Sequence, residues 1–275
     1  MKWVKKIYHS INENYFYLSG MKPWRRGYAE FKIKNIKNAL ISNPFCESEL
    51  PHGYGYRLDE RIVEYPWFFW RLPEDLTGNI LDAGSILNHD FLLKHKSLMK
   101  KNVFISTLAP EQNSFWRDKI SYVYEDLRNS CFKDEYFDWI VSLSTIEHIG
   151  LDNTMLYTHD ATKNENNASS YLAAIREYKR MLKVGGTLYL SFPFGIHKKH
   201  NWFQIFDGQM LDEIINEFAP SKVKEFHYKY DKNEWKNSSR EESKTATYFD
   251  IHTQKDYDQD FAAASRAVVC LEMIK

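Results

Sequence analysis

Acidic, hydroxyl and imidazole side chains follow apolar runs in the middle of the sequence, where a parallel sheet would present them to a ligand. The clearest example is an apolar run that ends in Asp82-Ala83-Gly84-Ser85, with Asn88 three residues further on. Small residues suit a turn whose backbone approaches a bound molecule closely, and asparagine is one of the few side chains that tolerate a positive φ angle. This pattern predicts a ligand-binding turn after a buried strand, although an ordinary strand-to-helix turn has a similar sequence.

A possible general base follows another apolar run, at 137–144. His148 stands a few residues beyond that run, with Glu147 directly before it. An unperturbed imidazole titrates near pH 6.5, so it can accept a proton from a hydroxyl at neutral pH. We predict that His148 acts as the base and that Glu147 assists it. The alternative is a structural histidine that hydrogen-bonds to loop backbone.

Basic residues follow a third apolar run, at 187–194. They are His197, Lys198, Lys199 and His200. Such a group can bind the phosphate of a nucleotide sugar or another phosphorylated precursor, and we predict substrate contacts here. The alternative is a solvated loop, which is the usual fate of a charged run.

Further substrate contacts are predicted in two segments that flank the central part of the chain. Tyr54 and Arg57 lie in a loop rich in glycine and aromatic residues, and loops carry binding residues more often than helix faces do. Trp235 lies in the segment 231–263, which separates the last two predicted strands. Its aromatic residues favour a substrate lid over a disordered loop, because disordered segments contain few aromatics.

Hydrophobic periodicity and turn signals give the order of the elements. The predicted strands are 78–83, 102–107, 120–124, 137–144, 187–194, 222–230 and 266–274. The predicted helices are 28–40, 58–72, 91–100, 168–182 and 209–218, and Pro66 is expected to end or kink the second of them. This alternation predicts an α/β fold: a doubly wound, Rossmann-like, mostly parallel seven-stranded sheet with helices on both faces and an antiparallel last strand.

Composition restricts the class of protein. The chain has 37 basic and 37 acidic residues, so no overall positive charge draws nucleic acid. Its three cysteines, Cys46, Cys131 and Cys270, are widely spaced, which favours a reducing cytoplasm over a disulfide framework. No signal peptide or membrane-spanning run is visible, so we expect a cytoplasmic protein. We divide the chain into an N-terminal helical cap, 1–50, and a main domain, 51–275.

Several of these motifs occur in an order that resembles the class I S-adenosylmethionine-dependent methyltransferases, over about residues 78–195. The matching pieces are 80–84, Asp126-Leu127, 137–142, Glu147-His148 and 182–188. A narrower set of pieces resembles the methyltransferases of bacterial capsule and surface-glycan biosynthesis. Its pieces are 55–61, 65–67, 106–110 and 144–150.

The resemblance implies S-adenosylmethionine as the cofactor and a set of residues that hold it. These are Asp82, Ala83, Gly84, Ser85, Asn88, Thr107, Leu108, Asp126, Leu127, Arg128 and Ser144. The first turn would pass beneath the methionine part, the Asp126 carboxylate would accept from the adenine amine, and Thr107 would flank the ribose. The chain departs from the pattern where Thr107 replaces the acidic residue that usually holds the ribose. A nicotinamide dinucleotide is disfavoured, because Ile86 and Asn88 stand where further glycines are needed.

We therefore predict a methyltransferase domain that methylates an oxygen of a small, phosphorylated or nucleotide-linked precursor of a bacterial surface polysaccharide. The alternatives are N-methylation of an amino sugar and a non-catalytic, cofactor-binding subunit. We expect no nucleic-acid partner, a monomer or homodimer, and no metal. The pairs His159-Asp160 and Asp250/His252 could in principle bind a divalent ion together with His148, but lone His/Asp pairs are common on loops.

Overall fold

The computed structural model describes residues 2–46, 49–158 and 160–275. Its helices are α1 (Lys2–Leu18), α2 (Tyr28–Ser42), α3 (Arg61–Arg71), α4 (Asp90–Leu93), α5 (Thr154–Tyr157), α6 (Tyr171–Met181), α7 (Gly208–Phe218) and α8 (Arg240–Ser243). Its strands are β1 (Gly78–Ala83), β2 (Lys101–Thr107), β3 (Ser121–Tyr124), β4 (Phe137–Leu143), β5 (Leu182–Pro193), β6 (Lys198–Lys199), β7 (Gln204–Ile205), β8 (Lys222–Asp231), β9 (Glu234–Ser238) and β10 (Ala267–Ile274). Among the described residues, no helix combines the length and apolar composition needed to cross a bilayer.

The chain forms two compact units that are not continuous in sequence. The first unit combines the N-terminal segment up to Arg71 with His227–Val268, and the second combines Leu72–Phe226 with Val269–Lys275. These units do not follow the predicted boundary between residues 50 and 51. The segment 231–263 belongs to the first unit, and its role as a lid stays a prediction.

The main sheet has the order β3-β2-β1-β4-β5-β10-β8-β9. Strand β1 pairs in parallel with β2 and with β4, while β3 pairs in parallel with β2 and β5 with β4. The prediction of a Rossmann-like, mostly parallel sheet with an antiparallel last strand is confirmed. Because β1 lies between β2 and β4, the residues that follow these three strands meet at one edge of the sheet.

The sheet has eight strands, whereas seven were predicted. The additional strand, β9, returns antiparallel to β8 through a two-residue hairpin, with Asp231 opposite Glu234. Both turn residues, Lys232 and Asn233, have positive φ angles, of 52° and 68°. Two left-handed residues match the twist of a tight hairpin, and asparagine adopts this conformation readily. The turn residues Lys232 and Asn233 are therefore a hairpin signal within the segment that was predicted to be a lid.

The core of the second unit lies between its sheet and two amphipathic helices. Helix α6 buries the residues at helical spacing, which are Tyr171, Ala174, Ile175, Tyr178 and Met181. Helix α7 buries Leu211, Ile214 and Phe218 in the same core. Helix α7 begins at Asp207, whose carboxylate accepts from the Met210 N–H at 3.0 Å. This packing holds β4 and β5, and hence the loops at their carboxyl ends, in fixed positions.

One predicted helix is much shorter in the structure, and a second continues past the proline that was expected to end or kink it. The helix predicted at 91–100 is only the single turn α4 followed by a 3-10 turn at Lys96–Leu98. Helix α3 does not end at Pro66 but continues to Arg71. Proline lacks the N–H that would bond to the carbonyl four residues earlier, which belongs to Ile62. The Tyr54 hydroxyl donates to this Ile62 carbonyl instead, so the helix keeps its acceptor satisfied.

Candidate active site

The turn after β1 is shaped by the buried carboxylate of Asp82. Its Oδ1 accepts from the Ile86 N–H at 3.0 Å, and its Oδ2 accepts from the Leu87 N–H at 2.8 Å. Asp82 therefore holds the turn closed, and its carboxylate shapes the backbone that follows Ala83. Gly84 has a φ angle of 119°, and a Cβ atom there would lie 2.4 Å from the Thr145 side chain. Only glycine fits this position, which brings the turns after β1 and β4 together.

The non-glycine residue with a positive φ angle in this turn is Ser85. The sequence had suggested Asn88 for this conformation. Ser85 has a φ angle of 61°, while Asn88 is absent from the residues with positive φ. The Ser85 hydroxyl is buried and has no hydrogen-bond partner among the described residues. Because a buried hydroxyl without a partner is costly, this atom is a candidate contact for a bound ligand.

Asn88 is a structural residue in this unit. Its amide nitrogen donates to Glu111 Oε2 at 2.8 Å and to the Asn113 carbonyl at 3.1 Å. Its amide oxygen accepts from the Tyr122 hydroxyl at 2.8 Å. These bonds use the side chain to anchor the loop after β2, so a direct contact with the cofactor is not favoured.

The end of β2 carries the predicted ribose contacts. Thr107 is buried, and Leu108 beside it is about half exposed, at 52%. The Tyr157 hydroxyl forms a side-chain hydrogen bond with Thr107. Burial, together with the nearby Glu111 charge, raises the pKa of Tyr157. Glu111 brings a carboxylate to the end of β2, four residues after the position where the resembled family has its acidic residue. It is therefore a candidate for the ribose contact that Thr107 alone cannot supply.

Ion pairs link three charged side chains at the end of β3. Asp126 and Arg128 were predicted to lie at the site, whereas Glu165 was not. Asp126 accepts from Arg128 Nε at 2.9 and 3.0 Å and from Nη2 at 2.6 Å. Arg128 then donates from both terminal nitrogens to Glu165, at 2.6 Å each. Burial opposes the charge on Asp126, but the hydrogen bonds from Arg128 outweigh it and lower the pKa of this carboxyl. Leu127 is buried in the core and positions its two neighbours.

The end of β4 presents the predicted base. Ser144 has a φ angle of 39°, and its N–H donates to the Ser191 carbonyl at 2.9 Å. A 3-10 turn over Ile146–His148 follows. The His148 Nδ1 atom lies 3.0 Å from the carbonyl oxygen of Trp202, and its ring stacks on the Trp202 ring with centroids 4.8 Å apart.

This contact determines which His148 nitrogen can accept a proton. A carbonyl oxygen can only accept, so Nδ1 carries the hydrogen in the neutral ring and Nε2 keeps its lone pair. Nε2 lies 3.8 Å from Oε1 of the buried Glu147. The His148 side chain is 28% exposed, so a substrate can reach it. The arrangement therefore suits a general base.

The predicted basic loop forms the hairpin of β6 and β7. The His197 Nδ1 atom lies 2.8 Å from the Ile205 carbonyl oxygen, and the Lys199 ammonium donates to Asn166. Lys198 is exposed, and the His200 ring stacks on Phe203 with centroids 4.2 Å apart. The hairpin also carries Trp202, which contacts the predicted base.

Three predicted substrate residues belong to the first unit and contribute to its packing. The Tyr54 hydroxyl is bonded to the Ile62 carbonyl, as described above. Trp235 is 1% exposed, and its indole N–H donates to the Leu58 carbonyl at 2.8 Å. The Arg57 guanidinium lies 4.0 Å from the Phe261 ring centroid and donates to the Gly20 carbonyl. Tyr54 and Trp235 therefore use their polar atoms internally.

Four residues near the sheet edge were missed by the sequence analysis. They are Glu111, Tyr157, Glu165 and Trp202. Tyr157 ends the short helix α5 and the other three lie in loops, where neither periodicity nor a known motif marks them. No group of three side chains able to hold a metal occurs among the described residues, and His159, named above as part of a possible metal pair, lies outside them.

No family model and no curated protein sequence matches the chain significantly. Among solved structures, the [4+2]-cyclase SpnF has 14% identity and a TM-score of 0.47, covering 88% of this chain and 93% of its own. The YcgJ protein from Bacillus subtilis has 11% identity and a TM-score of 0.46, covering 78% and 98%. Phosphoethanolamine N-methyltransferase 2 from Haemonchus contortus, in complex with S-adenosyl-L-methionine, has 11% identity and a TM-score of 0.45, covering 77% and 52%. Identities this low carry no information about activity or substrate.

Proposed function

We propose that the second unit binds S-adenosylmethionine and transfers its methyl group to an oxygen of a small substrate. The observation that carries this proposal is the arrangement of His148, whose Nδ1 lies 3.0 Å from the Trp202 carbonyl oxygen and whose Nε2 lies 3.8 Å from Glu147 Oε1. This base lies just beyond β4, beside the turn that closes against Gly84. The proposal thus joins a binding turn and a base at one edge of one sheet.

The residues present fit the proposed cofactor. The buried Ser85 hydroxyl lacks a protein partner among the described residues, and Gly84 beside it lets the turn after β4 pack closely against this turn. Asp126 is partly exposed, at 39%, so an adenine amine can approach its carboxylate, where it would share acceptor sites with the Arg128 N–H, Nε and Nη2. Glu111 can supply the acidic contact that Thr107 lacks.

S-adenosylmethionine supplies an electrophilic methyl group on a sulfonium, so the chain's own residues need to align the acceptor and manage its proton. Alignment contributes on the order of 7–11 kcal/mol of barrier reduction. His148 Nε2 would take the proton from an acceptor hydroxyl, which is worth typically about 10²–10⁴-fold in rate. The neighbouring Glu147 carboxylate would stabilise the resulting imidazolium.

The proposed acceptor is a phosphorylated or nucleotide-linked precursor of a bacterial surface polysaccharide. Two features support this class: the short sequence resemblance to capsule-type methyltransferases, and the exposed Lys198 on the hairpin that carries Trp202. An ammonium group on an exposed hairpin suits a phosphate oxygen. N-methylation of an amino sugar uses the same site with His148 only orienting the amine.

Calorimetry, followed by an assay of methyl transfer, tests the proposal. We expect S-adenosylhomocysteine to bind and NAD not to bind. Labelled methyl from S-adenosylmethionine should then appear on oxygen in hexose phosphates or nucleotide sugars. Binding of NAD but not of S-adenosylhomocysteine would reject the cofactor. Binding without transfer to any member of a broad acceptor panel would instead indicate the non-catalytic alternative.

A further inference from the structure

The first unit contains a cavity of about 170 Å³ that is separate from the residues discussed so far. Its walls combine aromatic rings with polar side chains. They are Trp24, Arg25, Phe249, Ile251, Gln254, Lys255, Asp256 and Tyr257. This volume is below the roughly 300–1,000 Å³ of typical pockets for drug-sized ligands, so the cavity suits a small ligand.

The neutral side-chain acceptors of Gln254 and Tyr257 are satisfied from within the unit, which leaves the Asp256 carboxylate as the side-chain acceptor of the lining. The Gln254 Oε1 atom accepts from the Asp250 N–H at 2.9 Å, so its Nε2 group remains as a donor. The Tyr257 hydroxyl accepts from Arg25 Nε at 3.2 Å and donates to the Pro23 carbonyl at 2.8 Å. The polar groups left over are therefore chiefly donors.

Two cations complete the donor set. Among the described residues, neither the terminal nitrogens of Arg25 nor the Lys255 ammonium has an ion-pair partner. The bond from Arg25 Nε to Tyr257 fixes the plane of the guanidinium, which presents its two terminal nitrogens as a fork. Asp256 offsets one of the two positive charges, so the formal charge of the lining is +1. This lining suits an oxyanion.

The aromatic wall is held in place by contacts within the unit. The Phe249 and Tyr257 rings stack at 16° with centroids 5.5 Å apart. The Trp24 indole N–H donates to the Ala263 carbonyl, yet the side chain stays 43% exposed. Trp24 also has a φ angle of 62°, a conformation that is rare for a bulky residue and that clusters at binding sites. A rigid, exposed indole beside the donors can pack against the ring of a ligand.

We infer that this cavity binds the oxyanion of a small organic acid or phosphate ester, with the Arg25 fork and Gln254 Nε2 on the oxyanion and Trp24 against its ring. The inference does not depend on the proposed methyl transfer. A phosphate ester and a carboxylate share the recognised chemistry, and direct binding measurements separate them.

The test is calorimetry of the full chain with four probes: glucose 6-phosphate, glucuronate, inorganic phosphate and glucose. We expect at least one of the two sugar anions to bind and glucose not to bind. Inorganic phosphate should bind more weakly than glucose 6-phosphate, because it has no ring for Trp24. Glucose 6-phosphate and glucuronate together show whether the site prefers phosphate or carboxylate.

Three variants locate the binding. Arg25→Gln should weaken binding of the preferred anion by about 10- to 100-fold, as expected for the loss of hydrogen bonds to a charged group. Lys255→Gln should weaken it less, since Lys255 is a flexible point charge. Arg117→Gln is the control, because Arg117 lies over the exposed Trp116 ring and outside the cavity. The affinity of the Arg117→Gln variant for the preferred anion should equal that of the parent.

Circular dichroism and melting temperature check that each variant is folded. Equal affinity of folded Arg25→Gln and the parent would overturn the inference. Affinity of glucose equal to that of both sugar anions would overturn it as well. Because neither measurement involves S-adenosylmethionine, a failure here is distinct from a failure of the proposed function.

Discussion

The imidazole of His148 is held from two sides by one residue, because Trp202 provides both a carbonyl for Nδ1 at 3.0 Å and a ring that stacks at 4.8 Å. The two residues are 54 positions apart in sequence, on the loop after β4 and on the β6–β7 hairpin. The hairpin thus determines both the tautomer and the orientation of the ring. This relationship makes His148 testable as a base and not only as a structural residue.

Replacing His148 with glutamine should lower the rate of methyl transfer to an alcohol by about 10²–10⁴-fold. Affinity for S-adenosylhomocysteine should remain nearly unchanged, since the base contacts the acceptor and not the cofactor. Initial rates and calorimetry measure the two effects. His52→Gln is the control, because the His52 side chain is 98% exposed. A rate within a few-fold of the parent, on a confirmed alcohol substrate, would reject the base.

Replacing Asp126 with alanine should weaken cofactor binding by about 1.5–3 kcal/mol, the cost of losing a hydrogen bond to a charged group. The rate at saturating cofactor should change less. Calorimetry with S-adenosylhomocysteine provides the measurement. Asp134→Ala is the matched control, because Asp134 pairs with Arg180 at 2.7 Å but lies exposed at the surface. If both variants bind the cofactor as the parent does, Asp126 is not in the adenine site.

The parallel strands and the edge at which they end could be predicted, because buried strands leave long apolar runs and their carboxyl ends meet at one edge. Contacts between distant loops could not. Nothing in the sequence around Trp202 indicates that its carbonyl reaches His148, and Glu165 lies 37 residues from Arg128. Tyr54 was taken for a binding residue because it lies in an aromatic loop. Its actual partner, the Ile62 carbonyl, depends on the continuation of α3 through Pro66, which local propensity opposes.

Replacing Tyr54 with phenylalanine should destabilise the protein without changing substrate affinity. The substitution leaves the Ile62 carbonyl without its donor, which should cost about 1–3 kcal/mol of unfolding free energy. Denaturant unfolding measures this loss. Tyr56→Phe is the control from the same loop, since the Tyr56 side chain is 38% exposed. A raised Michaelis constant with unchanged stability would restore Tyr54 as a substrate contact.

Replacing Gly84 with alanine should both destabilise the protein and weaken cofactor binding. The new Cβ would lie 2.4 Å from the Thr145 side chain at a φ angle of 119°, so the turns after β1 and β4 must move apart. Strain of this kind costs about 1–3 kcal/mol. Gly185→Ala separates the two causes, because Gly185 has a φ angle of 78° with no atom within 4 Å of the added Cβ. Cofactor affinity should fall only in the Gly84 variant, and equal losses in both would contradict the crowding.

Replacing Glu60 with glutamine should stabilise the protein at neutral and alkaline pH. Burial, followed by the charges of Asp59 and Glu64, raises the pKa of Glu60 to about 8. An unfolded glutamate titrates near pH 4.3, so between about pH 4.5 and pH 8 the unfolded chain has released a proton that the folded chain still holds. Stability therefore falls by about 1.4 kcal/mol per pH unit in this window, and the contribution present at acid pH is lost as the pH rises.

Glutamine keeps an acceptor for the Ser265 N–H, which lies 3.2 Å from Glu60 Oε2, but does not titrate. Unfolding free energies of Glu60→Gln should match the parent near pH 4 and exceed it by on the order of 5 kcal/mol near pH 8. The exposed Glu241→Gln variant should follow the parent throughout, and an identical pH profile for Glu60→Gln would contradict the raised pKa.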